Sequence, residues 1–365
     1  MRITQKDIAR ELGISLITVS RALNGTGYVS EILKKRILDL AKERTYVPHK
    51  ASQALVRNKF RNMAIFSSSL PHYFWNDIGA GIRIAAEELL PFNYNIRYHI
   101  VEEADTPSYL ALLREEIENG LDAVAFVNQR LYDMKAIIAM VEAAGIPYVT
   151  FNVDAPRTRR ICYIGSDYQA GGRLSADFIG KSLQVKRGGT VLAISVDEGS
   201  ERFSKDPDIN GERLGGFLSL MRERFPDVVC EVRFITTKLR EGYEDSQIED
   251  LLAGWEGAAD AVYLIPAFNA AFLAALEKFD YRNAITVLHD IDGSAVHHLE
   301  THLLTAVIHQ DPILQGYYTV KTMERILESR ERPVRLNDIE LVHNLILSEN
   351  RNLLRNHYAL MQLTE

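Results

Sequence analysis

The sequence predicts an α/β protein: two doubly wound, Rossmann-like subdomains behind a small all-α headpiece built on a helix-turn-helix. From residue 62 onward, short apolar runs alternate with longer stretches of helical periodicity, the pattern of parallel sheets covered by helices on both faces. The runs are too numerous for one comfortable sheet, so two similar subdomains are expected. Charge then separates the headpiece from the body. Residues 1–62 hold 13 basic and 5 acidic side chains, net +8, and a chain total of −7 leaves −15 on the remainder. A polyphosphate would attract the first part and repel the second.

Several function classes fall away on composition. At 365 residues with 47% hydrophobic and 25% charged content, the chain is globular and too long for a single core. No apolar run reaches membrane-spanning length, and Met1-Arg2-Ile3-Thr4-Gln5-Lys6-Asp7 lacks the apolar segment of a secretory signal, so a cytoplasmic protein with no membrane partner is expected. Cys162 and Cys230 are the two cysteines, far apart and outside any Cys-x-x-Cys, which predicts small buried thiols rather than a disulfide or a zinc site. His298 and His302 stand one helical turn apart, but Glu300 is not adjacent to the first as a zinc-protease helix requires. There is no phosphate-binding glycine loop followed by Lys-Ser/Thr and no Gly-x-Ser-x-Gly elbow. No metal, cofactor or catalytic residue is expected.

In the headpiece, Thr4 caps a first short helix with Ile8, Ala9 and Leu12 on one face, and Gly13 ends it. Ile14 fills the turn. Ser15 caps a second helix running to Leu23, whose Val19, Ala22 and Leu23 pack back on the first. Leu16, Ile17, Thr18, Ser20 and Arg21 then face outward. Two exposed apolar residues at the start of a helix suit thymine methyl groups in a major groove, and Arg21 can reach a guanine edge or a phosphate. A third helix over 32–43 completes the core with Ile32, Leu33, Ile37, Leu40 and Ala41. The short polar side chains of Thr18, Ser20, Asn24 and Ser30 suit phosphate contacts.

Ile8-Ala9, Gly13-Ile14-Ser15, Thr18-Val19-Ser20-Arg21-Ala22-Leu23-Asn24 and Val29-Ser30 resemble, in register, the headpiece of the lactose-repressor (LacI/GalR-type) family of bacterial transcription regulators. The resemblance implies that Leu16, Ile17 and Arg21 read bases, that Thr18, Ser20, Asn24 and Ser30 hold phosphates, and that Ser15 and Tyr28 belong to the same DNA-binding face. Leu16-Ile17 departs from the polar residues many members carry at these positions, so no known operator sequence transfers. Pro48 breaks the third helix. The segment 50–59 that follows is too short to be a stable helix alone. The family's hinge folds on its operator and wedges a leucine, here Leu55, into the minor groove from each subunit of a homodimer. A double-stranded, pseudo-palindromic operator is the implied partner.

In the body, strands are expected over 63–67, 95–101, 123–127, 148–151, 162–164, 190–196, 229–235, 261–264, 286–290 and 305–308. Helices are expected over 75–90, 109–119, 134–144, 169–183, 212–225, 245–252, 269–279 and 312–328. The region resembles the periplasmic sugar-binding-protein fold that the family carries as its effector domain. The expected division is a headpiece over 1–46, a hinge over 47–61, an N-subdomain over 62–160 with about 292–320, and a C-subdomain over 161–291 with about 321–365.

Ligands of such folds sit between the lobes at the carboxyl ends of strands. Tyr73, Phe74 and Trp75 follow the first strand and offer a stacking surface. Asn152, Asp167, Asn210, Asp290 and Gln310 follow later strands or precede a helix, and hydroxyl groups need such partners when buried. Asp290 and Asp167 match positions that family members use. Gly211 stands where members commonly carry an Arg, with Asn210 before it and Arg213 after, and Ile265-Pro266-Ala267 replaces an amide and an acid. The expected effector is therefore a sugar, sugar derivative or cyclic polyol other than a hexose or pentose held by that Arg. The body reads as a sensor, making the chain a ligand-responsive repressor of carbohydrate or polyol catabolic genes. The alternative is a sugar-processing α/β enzyme carrying a DNA-binding headpiece.

Overall fold

In the computed structural model, residues 3–24, 27–44, 46, 60–69, 71–101, 105–129, 132–184, 188–197, 209–238, 242–243, 245–267, 270–290, 295–329, 334 and 336–352 are described. The chain divides into one unit of residues 1–61 with 89–94 and another of residues 62–88 with 95–365.

Three helices fill the N-terminal part of the first unit: α1 (Gln5–Leu12), α2 (Leu16–Asn24) and α3 (Glu31–Glu43). Thr4 and Asp7 close a capping box on α1, and Gly13 ends it at φ 66, a left-handed conformation that glycine adopts without a Cβ penalty. Ile8, Ala9, Val19, Ala22, Leu23, Ile37 and Ala41 form the buried centre, with Leu33 and Leu40 packed partly against it. Ile32 is not part of it. Leu33 and Ile37, one helical turn apart, take the inward face of α3, and the residue before Leu33 is turned out, leaving Ile32 86% exposed.

The second unit is two sheets. Following the chain, the elements are β1 (Arg61–Ser67), α4 (His72–Leu89), β2 (Tyr94–Ile100), α5 (Thr106–Glu118), β3 (Leu121–Phe126), α6 (Met134–Ala143), β4 (Tyr148–Phe151) and β5 (Tyr163–Ser166). Next come α7 (Tyr168–Gln184), β6 (Gly189–Asp197), α8 (Ile209–Arg224), β7 (Val228–Lys238), β8 (Gly242–Tyr243), α9 (Asp245–Ala253), β9 (Ala261–Ala267) and α10 (Ala270–Lys278). The last are β10 (Ile285–His289), α11 (Ala295–Glu300), β11 (Ala306–His309), α12 (Pro312–Glu328), β12 (Ile339–Leu341) and β13 (Asn344–Ile346). One sheet runs β12-β5-β4-β3-β1-β2, the other β13-β11-β10-β9-β6-β7-β8. The central pairings are parallel, and β8 and β13 add antiparallel edges. Strands buried on both faces explain the nearly continuous apolar runs, such as Val191-Leu192-Ala193-Ile194, all 0% exposed.

The chain crosses between sheets three times: from β5 into α7, from β11 into α12, and from β12 into β13. The boundaries expected at 160, 292 and 321 therefore shift. Tyr163–Ser166 belongs to the first sheet, Ala306–His309 to the second, and Pro312–Glu328 packs on β3, β4 and β5 of the first. Short strands at the crossovers carry too little pattern to reveal which sheet they extend. The hinge expected over 47–61 gives up Arg61 to β1, and its residues 47–59 lie outside the described residues.

Two helix pairs approach at backbone contact. A Cβ at Gly81 of α4 would overlap the carbonyl oxygen of Ile313 in α12, and one at Gly316 would overlap that of Ile78. The same reciprocal arrangement joins α7 and α8, where Gly172 faces the Arg213 carbonyl and Gly216 that of Gln169. Each pair fixes a polar side chain beside the crossovers: Asp77 next to Ile78, and Arg213 itself.

Candidate functional site

The headpiece presents one outward face. Ser15 caps α2, its Oγ accepting from the Thr18 amide at 3.1 Å and lying 2.8 Å from the Thr18 hydroxyl. With Val19, Ala22 and Leu23 turned inward, Leu16 and Ile17 are left 48% and 63% exposed. Arg21 is exposed one turn on, its side chain lying over the left-handed turn at Gly27. Tyr28 is exposed, Ser20 is half-buried, and Ser30 caps α3 by accepting from the Leu33 amide. The side chain of Asn24, and Leu55 as a whole, lie outside the described residues. Two large apolar side chains left about half or more exposed, beside a guanidinium, form a surface suited to base edges.

In the body, the strand ends and crossovers converge on one buried polar cluster. Asn152 at φ 58° and Asp290 at 44° directly follow β4 and β10, and Asp311 at 54° caps α12 two residues after β11, conformations in which Asn and Asp pay less than other side chains. Each left-handed residue turns the chain sharply at the strand's carboxyl end. The Asn152 carbonyl accepts from the Tyr163 and Tyr168 hydroxyls, both at 2.7 Å, and its Nδ2 donates to Gln315 Oε1 at 3.3 Å. Gln315 Nε2 donates to the Gln310 carbonyl at 3.2 Å, and the Gln310 amide and Nε2 both donate to Asp290. Asp290 is in turn ion-paired with Arg213 at 3.3 Å, the side chains 3% and 2% exposed. A continuous buried chain thus runs from β4 of the first sheet to β10 and α8 of the second.

Arg213 was legible in the sequence but was set aside because it falls two residues after the expected place. The α7–α8 glycine contact brings it in: its Nη1 donates to the Ile265 carbonyl at 3.2 Å and its guanidinium lies 5.4 Å from the centre of the Tyr168 ring. Gly211 stands at the expected place, and a guanidinium two residues later joins the cluster through Asp290 and the Ile265 carbonyl. Asp77 and Gln315 were missed altogether. Their signal was a polar residue on the apolar face of a helix: Asp77 between Trp75 and Ile78, Gln315 between Ile313 and Gly316.

Electrostatics follow from the burial. Desolvation raises the Asp290 carboxyl, opposed by Arg213 and Gln310. Asp77 is pushed up to about 7 by desolvation and by the charges of Asp290 and Asp311. His289, fully buried with its Nε2 2.7 Å from the Tyr263 hydroxyl, is held well below the usual range by desolvation and by Arg213. His343, in the third crossover, is pulled down to about 4 by desolvation and Arg213.

Other expected residues sit differently. Asp167 is exposed and caps α7 through the Ala170 amide at 2.9 Å, because the first crossover turns directly into that helix. Asn210 is half-buried in the first turn of α8 rather than before it. Tyr73, Phe74 and Trp75 form the first turn of α4. Phe74 and Trp75 are buried and meet edge to face, and Trp75 meets Phe151 at the end of β4 in the same way, so they are packed rather than open as a platform. Cavities of about 940 and 330 Å³ at the opposite ends of β3 and β4 and beside Cys162 share no residue with the cluster. Among the described residues no group of three or more His, Cys, Asp or Glu is arranged to hold a metal ion. Cys162 and Cys230 are free thiols raised to about 11 by burial.

The family comparisons agree with both parts. Residues 4–49 match the bacterial regulatory proteins of the lacI family, and residues 63–331 match the periplasmic binding protein domain. The chain belongs, over residues 63–331, to the periplasmic binding protein domain family, and it carries a lacI-type headpiece in front of that domain. Among its relatives is a protein of Bacillus subtilis named as probable HTH-type transcriptional repressor ExuR, 27% identical over 223 residues and 60% of each chain. A sucrose operon repressor of Pediococcus pentosaceus is 25% identical over 63% of this chain and 65% of that protein. The matched segment spans about three-fifths of the length of the first of these relatives. In fold, the chain is similar to a LacI transcriptional regulator structure from Bacteroides fragilis, with TM-score 0.67, 18% identity and coverage of 81% and 99%. It is also similar to a carbohydrate transporter from Acidothermus cellulolyticus in complex with myo-inositol, with TM-score 0.62, 16% identity and coverage of 83% and 99%.

Proposed function

We propose that this chain is a dimeric, cytoplasmic repressor that binds a pseudo-palindromic operator and is released from it, or locked on it, by a sugar, sugar derivative or polyol held between the lobes. The observation that carries the reading is the pair Leu16 and Ile17, exposed beside Arg21 at the start of α2 in a headpiece of net +8. Exposed apolar groups discriminate thymine methyls, while the basic charge supplies salt-dependent affinity for any duplex. Leu55 acts as the minor-groove wedge from each subunit. The named repressors and the sugar-binding folds among its relatives support this reading.

The body supplies a sensor. An effector shifts operator affinity only through a difference in its affinity for two arrangements of the lobes. The buried chain from Asn152 through Gln315, Gln310 and Asp290 to Arg213 spans the crossovers about which such lobes move, so an effector that engages Asp290 or Asn152 acts directly on that equilibrium. Among the described residues no helix is long and apolar enough to cross a membrane. The test is selection of genomic fragments bound by the full chain, followed by titration of the recovered site with sugars and polyols. Recovery of one palindromic sequence whose affinity changes with an unaltered sugar is the expected outcome. Turnover of the sugar, or binding indifferent to sequence, would overturn the proposal.

A further inference from the structure

Among the described residues four carboxylate or guanidinium groups meet at the crossovers, and three of them are wholly or largely engaged by neighbours. Asp290 is paired with Arg213 and accepts from Gln310. Asp311 caps α12 through the Leu314 amide at 3.1 Å. Arg213 gives Nη1 to a carbonyl, Nη2 to Asp290 and its face to Tyr168, which leaves its Nε alone without a partner among the described residues. Asp77 is different. It is 5% exposed, and its Oδ1 has no hydrogen-bond partner among the described residues. It is held there by the Gly81–Gly316 contact of α4 on α12, which places the next residue, Ile78, against α12.

A buried acceptor without a donor is costly, and the cost is recovered when a ligand supplies one. The charge balance decides which donor. Among the described residues Asp77, Asp290 and Asp311 stand against the single guanidinium of Arg213, so this part of the cluster repels an anion. Arg213 offers an anion one N–H, at Nε, since its Nη groups and its face are already engaged, and that single donor stands among three carboxylates. Among the described residues the carboxylates are not arranged to share a metal ion.

We propose that Asp77 is the effector-selecting carboxylate of this chain and that the effector carries a basic nitrogen, as an amino sugar or aminated polyol, whose ammonium sits on Asp77. The inference rests on the reading of the body as a sugar sensor and narrows it. With its carboxyl near 7, Asp77 carries a proton over much of the range below neutrality, and an arriving ammonium displaces that proton to solvent. Burial first, and then the charges of Asp290 and Asp311, which act on Asp77 from the second sheet and from the start of α12, hold the carboxyl up until the ligand's positive charge offsets them.

The test is calorimetry of the full chain with the amino sugar, parent hexose and uronate of the gluco and galacto series. A charge-assisted hydrogen bond in place of a neutral one predicts about tenfold tighter binding of the amine than of its parent hexose, with the uronate weakest. Asp77→Asn should shrink the amine preference to about twofold or less, leaving the hexose unaffected. On the parent protein, binding of the amine at about pH 6 should release a proton, seen as a heat that changes with the ionisation enthalpy of the buffer. That measurement needs no variant. Tightest binding of a hexose or uronate, an amine preference retained in Asp77→Asn, or buffer-independent heats would overturn the inference while leaving the sensor reading intact. Binding of no member of either series would overturn both.

Discussion

Removing the Arg213 guanidinium while keeping its bulk, as in Arg213→Met, isolates the buried pair that anchors the cluster. Breaking such a pair leaves an uncompensated charge and costs about 3–5 kcal/mol, whereas replacing both partners by apolar groups is often neutral. Two features of the structure reduce that figure. Gln310 keeps two hydrogen bonds to Asp290 after the arginine is gone. Asp290, already raised by burial, also escapes by taking up a proton. The sign is then set: a carboxyl whose folded value lies above its unfolded one contributes stability that is full below the unfolded value and is lost as pH rises through the folded value. Arg213→Met should therefore cost about 1 kcal/mol near pH 4 and about 3 kcal/mol near pH 8. Urea unfolding midpoints at the two pH values measure this. The double variant Arg213→Met, Asp290→Leu should recover most of the loss at pH 8. An equal loss at both pH values, or a double variant no better than the single one, would show that the arginine matters through packing against Tyr168 rather than through its charge.

The remaining predictions concern separate parts of the molecule. Asp77→Asn removes a carboxyl raised from its ordinary value to about 7, so the variant should be more stable than the parent above neutrality by up to on the order of 4 kcal/mol, with the difference vanishing below about pH 4; pH-dependent chemical unfolding checks this. Gly316→Ala places a methyl on the Ile78 carbonyl and must separate α4 from α12, at a cost of about 1–3 kcal/mol; a midpoint within error of the parent would mean the contact is not close. Leu16→Ala and Ile17→Ala should weaken operator binding without changing affinity for scrambled duplex, because apolar contacts to bases discriminate and phosphate contacts do not; equal losses on both would remove them from base reading. Deleting residues 1–60 should abolish duplex retention at physiological salt, since the positive charge is concentrated there and the body is acidic.

What the sequence determined by itself was local. The capping box at Thr4, the left-handed stop at Gly13 and the spacing of Ile8, Val19, Ala22 and Ile37 defined the headpiece, because caps and periodicity are written within one or two turns of chain. The apolar runs located β1 to β7 and β9 to β11 for the same reason. The three-residue strands β12 and β13 escaped, since three residues carry no period. Only the tertiary structure decided which sheet each strand joined. Parallel pairing is set by partners far along the chain, so Tyr163–Ser166 and Ala306–His309 changed lobes although their strand character was correctly read. The site divided in the same way. Asn152 and Asp290 were visible as polar residues at the ends of apolar strands, a local signal. Arg213 pairs with a residue 77 positions away, and Asp77 owes its isolation to a glycine contact with a helix more than 230 positions on. Neither depends on its sequence neighbours. Burial, charge and hydrogen-bond supply at a point in space are sums over every segment that reaches it, and those sums exist only once the two sheets and their crossovers are in place.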